Sequence, residues 1–272
     1  MPERMPTPQE LLAFYVEAGV DCALGEEPID RLADDAPPPA PIATDPPPAG
    51  RSLPQASLPR PAAATAAPVP PDAAMTSARE AARTARTLDE LRALLEAFDG
   101  CALRFTASRL VFADGNPQSR LMFVGEAPGR DEDIAGLPFV GRSGQLLDRM
   151  IGAIGFDRTK VYIANIIPWR PPGNRTPTPQ ETAICLPFIR RQIELVNPDV
   201  LVCLGNPSTQ GILETREGIT RTRGRWFDYD TGTRTIKAMP TFHPAYLLRN
   251  PSSKREVWED MKKVRAILQG DE

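Results

Sequence analysis

Three short apolar runs between residues 121 and 204 of this 272-residue chain leave few folds open to it. They are Leu121-Met-Phe-Val124, Val161-Tyr-Ile-Ala-Asn-Ile-Ile167 and Val200-Leu-Val-Cys-Leu204. None alternates apolar with polar residues, as a strand with one wet face does, so each reads as a strand covered on both sides. Helical patterns at Gln145–Ile154 and Pro179–Val196 separate them, and Ser252–Leu268 closes the chain as a further helix. Arg225–Tyr229 and Thr235–Met239, joined through Asp230-Thr-Gly-Thr233, form a hairpin. Buried strands alternating with helices predict an α/β fold: a three-layer α/β/α sandwich around a mostly parallel four-stranded sheet.

The N-terminal quarter is different. Thirteen of the 31 prolines fall in Ala36–Asp72, a stretch without Phe, Tyr or Trp. Such a segment buries too little apolar surface to offset its ordering entropy and reads as a disordered, partly polyproline-like linker. Before it, Thr7-Pro-Gln-Glu10 is a capping box with Pro at the first helical position, opening the helix Leu11-Leu-Ala-Phe-Tyr-Val. Thr87-Leu-Asp-Glu90 and Thr178-Pro-Gln-Glu181 repeat that punctuation. The expected division is a helix-containing arm over 1–35, a Pro/Ala-rich linker over 36–75 and a folded domain over 76–272.

Charge is divided unevenly. Residues 1–74 carry 4 Lys/Arg against 11 Asp/Glu, whereas residues 75–272 carry 28 against 24. The positive excess of the folded part permits a polyanionic partner without requiring one. Four cysteines, Cys22, Cys101, Cys185 and Cys203, include no close pair. The single histidine, His243, rules out a multi-histidine zinc site. With no signal peptide and no bilayer-length apolar run, a cytoplasmic protein is expected.

In open α/β sheets ligands bind at the carboxyl ends of the strands. The unusual polar residues fall there: Gly125-Glu126 after one strand, Asn165 at the end of the next, His243 after the last. Gly125-Glu-Ala-Pro-Gly129 leaves its strand through a glycine-rich turn that allows close approach of backbone to a ligand. The helix that follows can offer free N–H groups to a phosphate. Asn165 is hard to explain as packing, because a buried amide needs partners.

Together, Gly125-Glu-Ala-Pro-Gly-x-x-Glu-Asp133, Pro138-Phe-Val-Gly141, the Asn-ended strand, Arg170-Pro-Pro-Gly-Asn-Arg175 and His243-Pro-Ala-Tyr-Leu-Leu-Arg249 resemble the family-4 branch of the uracil-DNA glycosylase superfamily. The likeness runs in order through about residues 98–268. It implies a monofunctional glycosylase that flips uracil out of DNA and hydrolyses its N-glycosidic bond, releasing free uracil in base excision repair. Glu126 would position water and stabilise the sugar cation, and His243 would hydrogen-bond uracil O2 as negative charge builds there.

Asn165 would read the O4 and N3–H edge, and Phe139 would stack on the flipped base. Ala127 would line the base pocket, and Glu132 would stand at the C5 edge, although the Asp131–Asp133 charge run also reads as a solvated face. Tyr246, Leu247, Leu248 and Arg249 would wedge into the duplex and reach phosphate, unless helix packing buries the leucines. Gly129, Ser143, Arg170, Asn174 and Arg175 would contact the DNA backbone.

Family-4 enzymes carry four cysteines around a 4Fe–4S cluster. Here Cys101 and Cys185 occupy two of those positions, while Phe98 and Trp169 occupy the others. Two thiolates cannot fill four iron corners, so no metal and no other cofactor is expected. No lysine falls on any motif, which leaves no Schiff-base nucleophile for a lyase step. The alternative is a non-catalytic or slow-turnover binder of uracil-containing or abasic DNA. The partner is DNA containing uracil, no membrane is involved, and the chain is expected to be a monomer.

Overall fold

In the computed structural model, residues 71–270 are described; the N-terminal arm, its capping box and most of the linker lie outside them. Six strands form one sheet: β1 (Asp114–Gly115), β2 (Leu121–Gly125), β3 (Tyr162–Asn165), β4 (Val200–Leu204), β5 (Phe227–Asp230) and β6 (Thr235–Thr241). Their spatial order is β1-β3-β2-β4-β6-β5. The four central strands run parallel, as the apolar runs predict, and one antiparallel strand closes each edge. The sheet is therefore wider than four strands. β5 is the outer arm of the predicted hairpin, whereas β1 is a two-residue bridge too short to carry a period.

Alternate residues of each buried strand face opposite layers. Met122, Val124, Tyr162, Ala164, Leu201 and Cys203 join one core with α1 (Pro71–Thr84), α2 (Leu88–Ala97) and α5 (Pro179–Val196). Leu121, Phe123, Ile163, Val200, Val202 and Leu204 join the other with α4 (Arg142–Ala153) and α9 (Lys254–Gln269). Fully burying a side chain such as Phe123 contributes about 1.5–3 kcal/mol, so each central strand is anchored from both faces.

α1 begins inside the segment assigned to the linker. Its sequence, PDAAMTSAREAART, places Ala74, Ala78 and Ala82 on one stripe, each no more than 2% exposed. An all-alanine stripe lets two helices approach closely but carries none of the large apolar residues that a periodicity reading weighs. The capping box at Thr178 and Glu181 forms as expected, with the Thr178 side chain taking the Glu181 N–H and the Glu181 carboxylate taking the Thr178 N–H. At Thr87 only half the box forms: its hydroxyl caps Glu90 N, but the Glu90 carboxylate reaches back to Arg86 N instead. No helix among the described residues is long and apolar enough to cross a membrane.

Candidate active site

The parallel strands end together. Gly125 at the tip of β2 pairs in register with Asn165 at the tip of β3, and Leu204 of β4 pairs with Thr241 two residues before His243. A cavity of about 250 Å³ opens at this edge, lined by Glu126, Ala127, Gly129, Glu132, Phe139, Ser143, Asn165, Asn174, Arg175 and His243. Pro128, Pro171, Thr176, Pro177 and Ala245 complete the wall. None of these five carries a titratable group, so only their neighbours in sequence could have pointed to them. The volume falls below the roughly 300–1,000 Å³ of drug-sized sites and suits one small heterocycle. A larger hollow of about 590 Å³ beside α1, α5 and β5 shares no lining residue with it. Two pairs of the charges that line that hollow bond each other, Arg190 with Glu214 and Arg191 with Glu194, each at 2.5 Å.

Two glycines bring the key side chains together. A Cβ on Gly125 would lie 2.4 Å from Asn165 Oδ1 and 2.6 Å from the Phe139 ring, so any larger residue would displace both. Gly205, at φ +88 after β4, lets the chain pass close to the His243 Cβ. Asn165 is 5% exposed, and its Oδ1 is one of two buried side-chain polar atoms among the described residues without a hydrogen-bond partner. Leaving such an atom unpaired costs about 1–3 kcal/mol, a cost that a bound donor would remove.

Glu126 follows Gly125 directly, and no hydrogen bond or ion pair to its carboxylate is found among the described residues. Burial alone raises its pKa above the ordinary glutamate value. His243 caps α8 (Pro244–Arg249), its Nδ1 accepting the Ala245 N–H at 3.1 Å. An accepting Nδ1 places the ring proton on Nε2 in the neutral imidazole. Burial, with a contribution from the nearby Arg249 charge, lowers the His243 pKa to about 4. The ring stacks on Phe139 with centroids 5.5 Å apart and planes at 30°.

Glu132 belongs to the wall, but it is buried and its oxygens are engaged. Oε2 accepts from Gly129 N, and Oε1 accepts from Val140 N and Gly141 N. The Gly129 N–H is thereby committed within the protein. Asp133, also buried, ties the Ser108 and Arg109 amides. Within the acidic run Glu132 and Asp133 are thus internal braces, and Asp131 alone is exposed.

The expected DNA-contact residues divide. Ser143 lies in the first turn of α4, whose cap, Gly141, has no side chain to occupy the free amides. Arg170 and Asn174 bond each other at 2.7 Å, and Arg175 pairs with Glu181 at 2.6 Å. On α8, Leu247 is 1% exposed, because helical geometry turns it inward into the core that α4 and α9 share; it cannot serve as a free wedge. Leu248, at 39% exposed, is the apolar tip, with Tyr246 packed on Phe242 beside it and Arg249 exposed.

The cysteine positions lie in the opposite core. Cys101 and Cys185 sulfurs sit 3.9 Å apart at thiol hydrogen-bond distance, and both are fully buried. Phe98 packs edge-on against Phe188 at 5.1 Å, and Trp169 is 2% exposed in the same cluster. Two thiols in mutual contact beside close-packed aromatic rings do not fit a four-iron cluster. Cys203 is buried within β4. Among the described residues no group of three or more His, Cys, Asp or Glu is placed to hold a metal ion.

Residues 112–262 match the family model of the uracil DNA glycosylase superfamily. The chain is 44% identical over 171 residues to the type-4 uracil-DNA glycosylase of Thermotoga maritima, covering 62% of this chain and 88% of that protein. It is 38% identical over 182 residues to the type-4 enzyme of Archaeoglobus fulgidus, covering 65% and 92%. For that of Sulfurisphaera tokodaii the identity is 40% over 172 residues, covering 61% and 78%.

Proposed function

This chain belongs to the uracil-DNA glycosylase superfamily, and from that premise we propose that it excises uracil from DNA through the cavity at the strand tips. The observation that carries the reading is the meeting of Glu126, Asn165 and His243 in one small cavity, with the Asn165 acceptor buried and unpaired.

Cleavage of the N-glycosidic bond leaves its electron pair on uracil and positive charge on the sugar. The Nε2–H of neutral His243 donates to uracil O2 as that anion forms. Glu126 in its ionised form faces the cationic sugar, orients water toward C1′ and accepts the water proton. Phe139 stacks on the base, worth about 1–3 kcal/mol. Asn165 Oδ1 accepts from N3–H while Nδ2 donates to O4; cytosine presents the reverse pattern and would leave buried groups unpaired. Ala127 completes the base pocket, and Glu132, its oxygens committed to the loop, gives a wall that cannot swing aside for a 5-methyl group.

Outside the pocket, Leu248 fills the gap left by the flipped base, and Tyr246 and Arg249 flank it. Ser143 and the first turn of α4, together with Arg170, Asn174 and Arg175, hold the DNA backbone, whereas Gly129, its N–H taken by Glu132, only lets the strand pass close. The products are free uracil and an abasic site.

The direct test is alkali-revealed strand cleavage on duplexes with uracil opposite guanine or adenine, and on single strands. Wild-type protein is expected to cleave all uracil substrates and no cytosine control; a gel shift without cleavage would leave only a binder. Asn165→Asp is expected to lose uracil activity and to narrow the uracil-over-cytosine ratio by about 5–150-fold, the equivalent of 1–3 kcal/mol. Unchanged selectivity would count against this role for the amide.

The same reading assigns no cofactor. The purified protein is expected to be colourless, without absorbance near 400 nm and with iron far below one atom per chain. A brown protein holding about four irons would overturn this.

A further inference from the structure

Building on the reading of the cavity as a uracil site, we infer that Arg158 is a positioning residue for the reaction, locking Phe139 into the backbone setting that makes it a platform for the base. Phe139 has φ 54, in the left-handed region that a bulky residue adopts only when its surroundings over-determine it. Those surroundings can be named. Arg158 donates from Nη1 to Pro138 O at 3.2 Å and from Nη2 to Phe139 O. The same guanidinium is anchored by Asp114 of β1 at 2.5 Å and by Asp148 of α4 at 2.6 Å.

On the other side of the segment, Glu132 takes the Val140 and Gly141 amides. A cation therefore holds the carbonyls and an anion holds the amides. α4 presses from behind, where a Cβ on Gly144 would fall 1.7 Å from Phe139 O. Arg158 does not line the cavity, so it acts through Phe139. Its planar fork serves two carboxylates and two carbonyls at once, which the point charge of a lysine cannot do.

The test uses the full chain with Arg158→Met, Arg158→Lys and Asp148→Asn. For each variant it reads inhibition by free uracil, steady-state kinetics on uracil-containing duplex, affinity for abasic duplex and Tm. Arg158→Met is expected to raise the uracil inhibition constant about tenfold, within the range of lost base stacking, and to lower kcat/KM by at least as much. Abasic duplex affinity should stay within about twofold, because that ligand has no base to stack. Lysine should rescue only in part. Asp148→Asn leaves Arg158 in place but loosens it, so it should shift the same constants in the same direction and decides the matter if the methionine variant does not fold.

Folded variants with wild-type uracil inhibition, their activity loss tracking only the active fraction, would overturn the inference. A wild-type protein that releases no uracil would instead overturn the function on which it rests.

Discussion

Replacing Glu126 with alanine or glutamine is expected to slow uracil release by about 10²–10⁴-fold while uracil-containing duplex still binds. The carboxylate stands at the strand tip without a hydrogen bond or ion pair among the described residues, and burial raises its pKa. A glutamate held so is a better proton acceptor than a solvated one, and no partner has to be broken before it acts. The sign of the pH dependence follows. Only the ionised form can accept the water proton, so the wild-type rate falls as pH drops through a pKa displaced upward from the usual glutamate value. His243 does not set this limb, since it stays neutral down to about 4. Single-turnover rates across pH check both points: the glutamine variant should be slow and should lack the acidic limb. A variant that keeps a tenth of the wild-type rate, or keeps that limb, would remove Glu126 from the chemistry.

His243→Ala is expected to lower kcat by about 10²–10³-fold, the usual effect of deleting one preorganised donor to a developing oxyanion. Its preorganisation is visible in the bond from Ala245 N to Nδ1, which leaves the proton on Nε2. Because the residue also caps α8, the alanine variant loses about 1 kcal/mol of stability as well. Asn separates the two effects: His243→Asn retains a good cap but lacks the long-reaching Nε2 donor. Its Tm should stay near wild type while kcat falls with that of the alanine variant. A fall in Tm with an unchanged rate per folded molecule would leave His243 only a structural role.

The central parallel strands were legible because burial on both faces writes itself as unbroken apolar runs, and Thr178–Glu181 was legible because capping is local chemistry. α1 was not, since its buried stripe is alanine and its first residues sit among prolines. β1 was not, since two residues carry no period. The meeting of Glu126, Asn165 and His243 could be anticipated from their places at strand ends. The fate of Leu247 could not, for the order Tyr-Leu-Leu-Arg does not say which leucine the helix turns inward.

What the amino-acid order settled alone is the central strands, the long helices that cover them and the residues at the strand tips, because strand burial, helix capping and turn geometry depend on near neighbours. What only tertiary structure decided is how those residues are held. The left-handed Phe139, the carboxylate of Glu132 spent on three amides and the guanidinium of Arg158 spanning Asp114, Asp148 and two carbonyls join positions up to 44 residues apart. Such contacts depend on which side chains the packed layers bring within hydrogen-bond reach, and spacing along the chain does not encode that.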